Sequence, residues 1–285
     1  MKGVSVIVPA YNESSGIVGV LDQVRAALKQ IEHEIIVVDD GSQDDTASLA
    51  ASVEGVKVIS HGRNEGYGAA LKTGMMRAQF DKVLIIDADA TYPEGTIPQL
   101  IGRCADADMV VGARVAAGVE EPWLRGAVKR LIVLLANYLG ETHIPDLNSG
   151  LRVFRRDLGL KYIHLLPSGF SFTSTITLVL LSEGYRVEYI PINYRKRKGW
   201  SKFRPFHDTL NMLILVLRTI VYFNPLRVFL PLSALLLLIA LPVAWAWSHT
   251  GSTGWGAALI GLVVAALQVF GIGVVADLIG KRYKL

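Results

Sequence analysis

A chain of 285 residues can bury one full core and still carry an appendage. At 51% hydrophobic residues and a mean hydropathy of +0.38 it is too apolar for a plain soluble protein, and the excess lies after residue 205, which points to a membrane segment. The formal charge of +4 is densest in Arg195 to Arg204, directly before that apolar region, so lipid head groups or phosphates are better-placed partners than nucleic acid.

A single cysteine, Cys104, excludes an internal disulfide and a thiolate metal cluster, and reads as a small core residue. Met1 to Val4 runs straight into a strand pattern, so no removable signal peptide is expected. Val4 to Val8, closed by Pro9, and Glu34 to Val38, ending in Asp39-Asp40-Gly41-Ser42, have the continuous apolar character of buried parallel strands. Between them Ile17, Val20, Leu21, Val24 and Leu28 recur at helical spacing over Gly16 to Ile31. A second helical stretch begins at Thr46, strands continue at Val56 to Ile59, Lys82 to Ile86 and Met109 to Val111, and a helix is expected over Gly66 to Ala78. Strands alternating with helices argue for an α/β sheet.

From Phe206 to Phe223 the apolar residues Leu210, Leu213, Ile214, Leu217, Ile220 and Val221 recur every three or four positions. That pattern suits an amphipathic helix on a membrane surface, or a helix packed on the core of the α/β domain. Val228 to Trp247 carries no charge over twenty positions and Trp255 to Ala276 none over twenty-two. Each is long enough to cross a hydrocarbon layer of about 30 Å. The connector Ser248 to Gly254 lacks Lys and Arg, whereas basic residues precede the first span and Lys281, Arg282 and Lys284 follow the second. By the positive-inside rule both termini and the N-terminal domain are expected on the cytoplasmic side of a multi-pass membrane protein. Trp245, Trp247 and Trp255 suit the opposite interface, and Asp277 the head-group level.

Three polar loops follow apolar strands: Pro9-Ala10-Tyr11-Asn12-Glu13, Asp39-Asp40-Gly41-Ser42 and Asp87-Ala88-Asp89. Open α/β sheets bind ligands at the carboxyl ends of their strands. Two carboxylates separated by one residue can hold a hard divalent cation, which neutralises a diphosphate. Singly, each loop is as well explained by helix capping, and Asp44, Asp45 and Thr46 in particular suit a helix start. Capping does not account for all three together.

With these loops, Asn64 to Gly74, Val111 to Arg114, Asn148 to Phe154 and Pro191 to Phe203 complete a set that resembles the inverting family 2 glycosyltransferases of GT-A fold. The similarity is to their polyprenyl-phosphate branch, which includes dolichyl-phosphate mannose synthases and undecaprenyl-phosphate glucosyltransferases. It implies a Rossmann-like GT-A nucleotide-sugar domain over residues 1–204. An amphipathic juxtamembrane helix over 205–227 and a transmembrane hairpin over 228–285, with spans at about 228–247 and 255–279, complete the expected organisation.

The resemblance assigns Pro9, Tyr11, Glu13, Asp39, Asp87 and Ala88 to the nucleotide, and Asp87 and Asp89 to Mg2+ or Mn2+. Thr91 stands where many relatives place a further metal-contacting Gln. The lipid phosphate falls to Arg114, Arg125, Arg197 and Lys202, which with Asp89 form the expected catalytic set. An anionic phosphate acceptor needs no general base, so catalysis would consist of positioning and charge stabilisation. The implied partners are a UDP- or GDP-hexose, with UDP favoured, a polyprenyl (undecaprenyl or dolichyl) phosphate and the membrane. Gly261, Gly271 and Gly273 would permit self-association through the hairpin. The alternatives are a processive or other-acceptor family 2 transferase, although the Gln-x-x-Arg-Trp signature is absent, and a non-catalytic scaffold that retains the nucleotide fold.

Overall fold

Seven consecutive buried residues, Val4–Ala10, form β1, from which the sheet spreads in both directions. The computed structural model describes residues 3–114, 144–169, 171–193 and 224–282, together with Ile214, Val221 and Tyr222. The chain divides into two units, Met1–Met212 and Leu213–Leu285, a division that falls inside the 205–227 stretch.

In the first unit β2 (His33–Asp39), β3 (Val56–Ser60), β4 (Lys82–Ile85), β5 (Met109–Arg114), β6 (Arg152–Arg155) and β7 (Val187–Ile192) join β1 in a seven-stranded sheet of order β3-β2-β1-β4-β6-β5-β7. The five strands expected from the apolar runs are present and differ only at their ends. β5 continues to Arg114, because Gly112 to Arg114 pair in parallel with Ile190 to Ile192 of β7. Strand β6 is not among those expected, and it runs antiparallel to β4 and to β5. Its four residues, Arg152-Val153-Phe154-Arg155, are too few and too charged at their ends to read as a strand in isolation.

Helices cover both faces. α1 (Ile17–Ala27) buries Ile17, Val20, Leu21 and Val24 against Val4, Val6 and Val8, in one core with Leu100 and Ile101 of α4 (Ile97–Arg103). α1 is shorter than the expected span, with Leu28 as its C-cap and the Leu28 N–H donating to Val24 O. α2 (Thr46–Ala51) follows β2. On the opposite face α3 (Tyr67–Arg77) approaches so closely that a Cβ on Gly74 would overlap Ile7. α5 (Arg156–Lys161) and α6 (Phe172–Ser182) follow β6, and α6 is buried from Phe172 through Leu180. Cys104 is a buried free thiol, as expected of a core residue.

The second unit contains α7 (Leu226–Thr250) and α8 (Thr253–Arg282), each long and apolar enough to cross a membrane. Both overrun the expected spans by a few residues. Ser233 Oγ of α7 donates to Ala266 O of α8 at 2.9 Å, and Gly273 lies against Phe229, so the two helices are directly packed. Gly261 and Gly271 have open space where a Cβ would stand. The expected amphipathic helix lies outside the described residues except for Ile214, Val221 and Tyr222.

Candidate active site

Because β2 and β4 flank β1 on opposite sides, the chain reverses direction across the sheet at β1. Such a reversal leaves a crevice outside the strand ends. The three polar loops named from the sequence open there. The loop after β1 and that after β2 are tied together: Asn12 N donates to Ser42 Oγ at 3.0 Å, Gln43 N to Asn12 Oδ1 at 2.8 Å, and Glu13 N to Thr46 Oγ1 at 2.9 Å. The loop after β4 is adjacent, since a Cβ on Gly16 would sit 3.3 Å from Ala88 O. Pro9, Ala88 and Asp39 are buried there, while Tyr11 and Glu13 are partly exposed.

The neighbours Asp39 and Asp40 differ sharply. Asp40 is a structural latch: its Oδ1 takes bonds from His61 Nδ1 (2.7 Å) and Glu65 N (2.9 Å), and its Oδ2 from Gly66 N (2.8 Å). His61 Nε2 in turn contacts Thr73 Oγ1 of α3 at 2.9 Å. The Asp39 carboxylate receives only a 3.3 Å bond from Ser42 N among the described residues, which leaves it available to a ligand. Gly41 joins the two loops with φ +72°, and a Cβ there would lie 2.5 Å from the Arg63 carbonyl carbon, so both its backbone and its space demand glycine. Asp44 plays the helix-start role: it accepts from Thr46 N at 3.1 Å, from Ser14 N at 3.3 Å and from the Thr46 hydroxyl.

Asp87 follows β4, partly buried, and Tyr67 Oη donates to its Oδ1 at 2.9 Å. Burial, followed by the neighbouring charge of Asp89, pushes the Asp87 carboxyl up to about 6, against the pull of the Tyr67 hydrogen bond. Asp89 Oδ1 accepts from Thr91 N at 3.2 Å and from Thr91 Oγ1 at 2.6 Å. Thr91 is buried and its hydroxyl is directed at Asp89, so it orients that carboxylate. Ala90 between them has φ +58°.

Among the described residues no group of three or more His, Cys, Asp and Glu side chains converges. The pair Asp87 and Asp89 nevertheless suits a divalent ion: the Asp89 charge raises the proton affinity of Asp87, and a cation shared with a diphosphate relieves that repulsion.

At the end of β5, Arg114 forms a two-pronged ion pair with Asp146, Nε to Oδ2 at 2.7 Å and Nη2 to Oδ1 at 2.9 Å. Arg114 N and Asn148 N add bonds to the same carboxylate at 3.0 and 3.1 Å. Burial alone would raise the Asp146 carboxyl, but these donors and the guanidinium charge hold it below the usual carboxylate range. Ser174 Oγ donates to Asn148 Oδ1, which fixes the 146–150 loop on α6. Arg125, Arg197 and Lys202 lie outside the described residues.

Three side chains that the sequence does not single out complete the site. Tyr67 is the first residue of α3; Tyr92, buried, accepts from Gly150 N at 2.6 Å; and Arg152 is wholly buried. Their only sequence signal is proximity to motifs already named, because an aromatic or arginine outside a motif reads as packing or surface.

Residues 5–161, more than half the chain, match the family model described as glycosyl transferase family 2, and residues 224–281 match the GtrB C-terminal hairpin. Among curated relatives, the undecaprenyl-phosphate 4-deoxy-4-formamido-L-arabinose transferase of Aeromonas hydrophila is 29% identical, over 99% of this chain and 90% of that protein. The low-salt glycan biosynthesis hexosyltransferase Agl6 of Haloferax volcanii is also 29% identical, over 72% of this chain and 50% of that one. A crystal structure of glucosyl-3-phosphoglycerate synthase from Mycobacterium tuberculosis superposes with a TM-score of 0.61 at 22% identity, covering 76% of this chain and 80% of that chain. The same synthase in complex with Mn2+, UDP and glucosyl-3-phosphoglycerate gives 0.59 at 22% identity, over 77% and 79%. The sheet, the acidic edge and these matches agree: the chain belongs to glycosyl transferase family 2, with a GT-A type sheet followed by two apolar helices able to span a membrane.

Proposed function

We propose that the protein transfers a hexose from a nucleotide-diphosphate sugar, UDP-linked in preference to GDP-linked, to a polyprenyl monophosphate with inversion at the anomeric carbon. The observation that carries this reading is the Asp87/Asp89 pair at the end of β4, set in a family 2 domain whose chain continues into a GtrB-type hairpin. The named relatives that act on undecaprenyl phosphate support the acceptor class, and the Mn2+ and UDP complexes of the fold neighbour support the donor and the metal.

Pro9, Tyr11, Glu13, Asp39 and Ala88 hold the nucleotide, with Asp39 reaching the ribose or base. Asp87 and Asp89 hold Mg2+ or Mn2+, and Thr91 aims Asp89. A bound divalent ion supplies charge neutralisation to the departing diphosphate. Arg114, pre-set by Asp146, acts with Arg125, Arg197 and Lys202 to grip the acceptor phosphate. One phosphate oxygen, already anionic near neutral pH, forms the new bond to the anomeric carbon as the bond to the diphosphate oxygen breaks. The nucleoside diphosphate leaves with that electron pair, and no proton needs to be removed from the nucleophile.

The hairpin is read as a membrane anchor, with the catalytic domain and both termini cytoplasmic. Self-association, if it uses hairpin glycines, falls to Gly261 and Gly271, since Gly273 is engaged by Phe229. Radiolabelled UDP- and GDP-sugars offered with undecaprenyl or dolichyl phosphate test the whole reading. Labelled lipid should form with one donor class and only in the presence of metal. Metal-dependent donor hydrolysis with no lipid product would move the acceptor to another class, and no turnover of any donor would favour a scaffold.

A further inference from the structure

Arg152 is the largest wholly buried side chain among the described residues, and none of its hydrogen bonds there goes to a carboxylate. Nε and Nη2 donate to Ser149 O at 3.1 and 2.5 Å, and Nη1 donates to Thr173 O at 2.8 Å and Thr177 Oγ1 at 2.9 Å. Burying a guanidinium among neutral acceptors costs several kcal/mol. Apolar packing would serve the core of the sheet better, so the charge and its fork need another explanation.

The register supplies one. Arg152 stands opposite Ile85 of β4 on one side and Val111 of β5 on the other, at the two strand ends that lead to Asp87 and Arg114. Its two bonds to Ser149 O fasten the residue before Gly150, and Ser149 Oγ is fixed to Gly112 O at 2.6 Å. Gly150 is seated directly on the Asp87 carboxylate: a Cβ there would overlap Oδ2 and come within 2.7 Å of Cγ. Through Thr173 and Thr177 the same guanidinium ties this loop to α6, which also holds Asn148 through Ser174.

We infer that Arg152 is a positioning residue for the metal site: its fork clamps Ser149 so that Gly150 backs the Asp87 carboxylate and fixes the direction in which it faces a divalent ion. Lysine cannot reproduce the clamp, because a single ammonium does not span Ser149 O and the two α6 acceptors in one plane. The inference rests on the proposed role of Asp87 as a metal ligand.

The test uses the full-length protein in detergent and measures Mn2+ binding alone by electron paramagnetic resonance, alongside the metal concentration that gives half-maximal transfer. Arg152→Lys should raise the Mn2+ dissociation constant and the half-maximal metal concentration by roughly tenfold while kcat at saturating metal stays within about twofold of wild type, as loss of one to two charged hydrogen bonds implies. An unaltered metal requirement in folded Arg152→Lys overturns the proposal. Should that variant not fold, Thr177→Val decides: it removes one bond from the guanidinium at constant shape, and the metal requirement should rise two- to threefold, whereas no change is against the clamp. Arg156→Lys, which alters a guanidinium bonded to Met75 O at 3.0 Å on α3, is the matched control, and an equal effect there would reduce the result to general loosening. Asp87→Asn separates the two readings: if it leaves Mn2+ binding intact, the Asp87 assignment fails by itself, whatever Arg152 does.

Discussion

Tyr67 and Asp87, twenty residues apart, meet in a 2.9 Å hydrogen bond from the first residue of α3 to the end of β4. The phenol favours the ionised carboxylate, and burial pushes the Tyr67 hydroxyl well above its ordinary range, so the phenol remains the donor. Tyr67→Phe should therefore raise the Asp87 carboxyl further and weaken metal binding. We expect the metal requirement of transfer to increase roughly five- to tenfold at pH 6 and less at pH 8, from the usual strength of a hydrogen bond to a charged group. Equal increases at both pH values would place the Tyr67 effect on packing.

The Asp87 carboxyl gives the pH dependence its sign. Its value is raised from 3.8 to about 6, so between those values the folded protein keeps a proton that the unfolded chain has released. Without metal, stability contributed by this group is complete below pH 4, is lost as pH rises toward 6 and stays lost above it. In a chelator, Asp87→Asn should thus stabilise the protein at pH 7.5 by about 1–2 kcal/mol, a figure discounted for partial exposure, and have no effect at pH 4. Thermal unfolding in detergent at the two pH values checks this. Metal affinity should fall as pH drops below 6, because the ion then competes with a proton.

Asp89→Ala should abolish transfer in a protein that stays folded, since Asp89 is a partly exposed residue in the 87–91 turn rather than a core group. Lipid product formation and circular dichroism of the same preparation measure both halves. Full turnover by Asp89→Ala in metal buffer would remove the carboxylate pair from the mechanism.

Asp146→Asn should loosen Arg114, because an amide offers one acceptor oxygen where the guanidinium fork uses two. The half-saturating concentration of lipid phosphate should rise several-fold with little change for the donor. The reverse pattern would move Arg114 to the donor side. Since the Asp146 carboxyl is lowered, its stabilising contribution is present at neutral pH and is lost only as pH falls below the ordinary carboxylate range.

In the hairpin, Gly273→Leu should drive α7 and α8 apart at Phe229, while Gly261→Leu should leave the pair packed. If copies associate through the open glycines, Gly261→Leu reduces cross-linked dimer without lowering the unfolding temperature. Ser233→Ala should cost only about 0.6 kcal/mol, the usual worth of one interhelical bond in a membrane.

Much of this arrangement is legible in the residues alone. β1 and β2 are continuous apolar runs, and the polar loops behind them announce a ligand edge by themselves. β6 is not legible, because a four-residue strand bounded by arginines takes its identity from the two strands that flank it. The division between Asp39 and Asp40 is equally hidden: adjacent identical residues diverge only when His61, Glu65 and Gly66 arrive from further along the chain. Arg152 is the most deceptive, since arginine in a short segment suggests a surface and here lies wholly buried.

The Arg114–Asp146 ion pair also fixes main chain. Backbone N–H groups of Arg114 and Asn148 meet the same carboxylate that the guanidinium grips, so the last residue of β5 and the 146–148 segment are joined into one rigid corner.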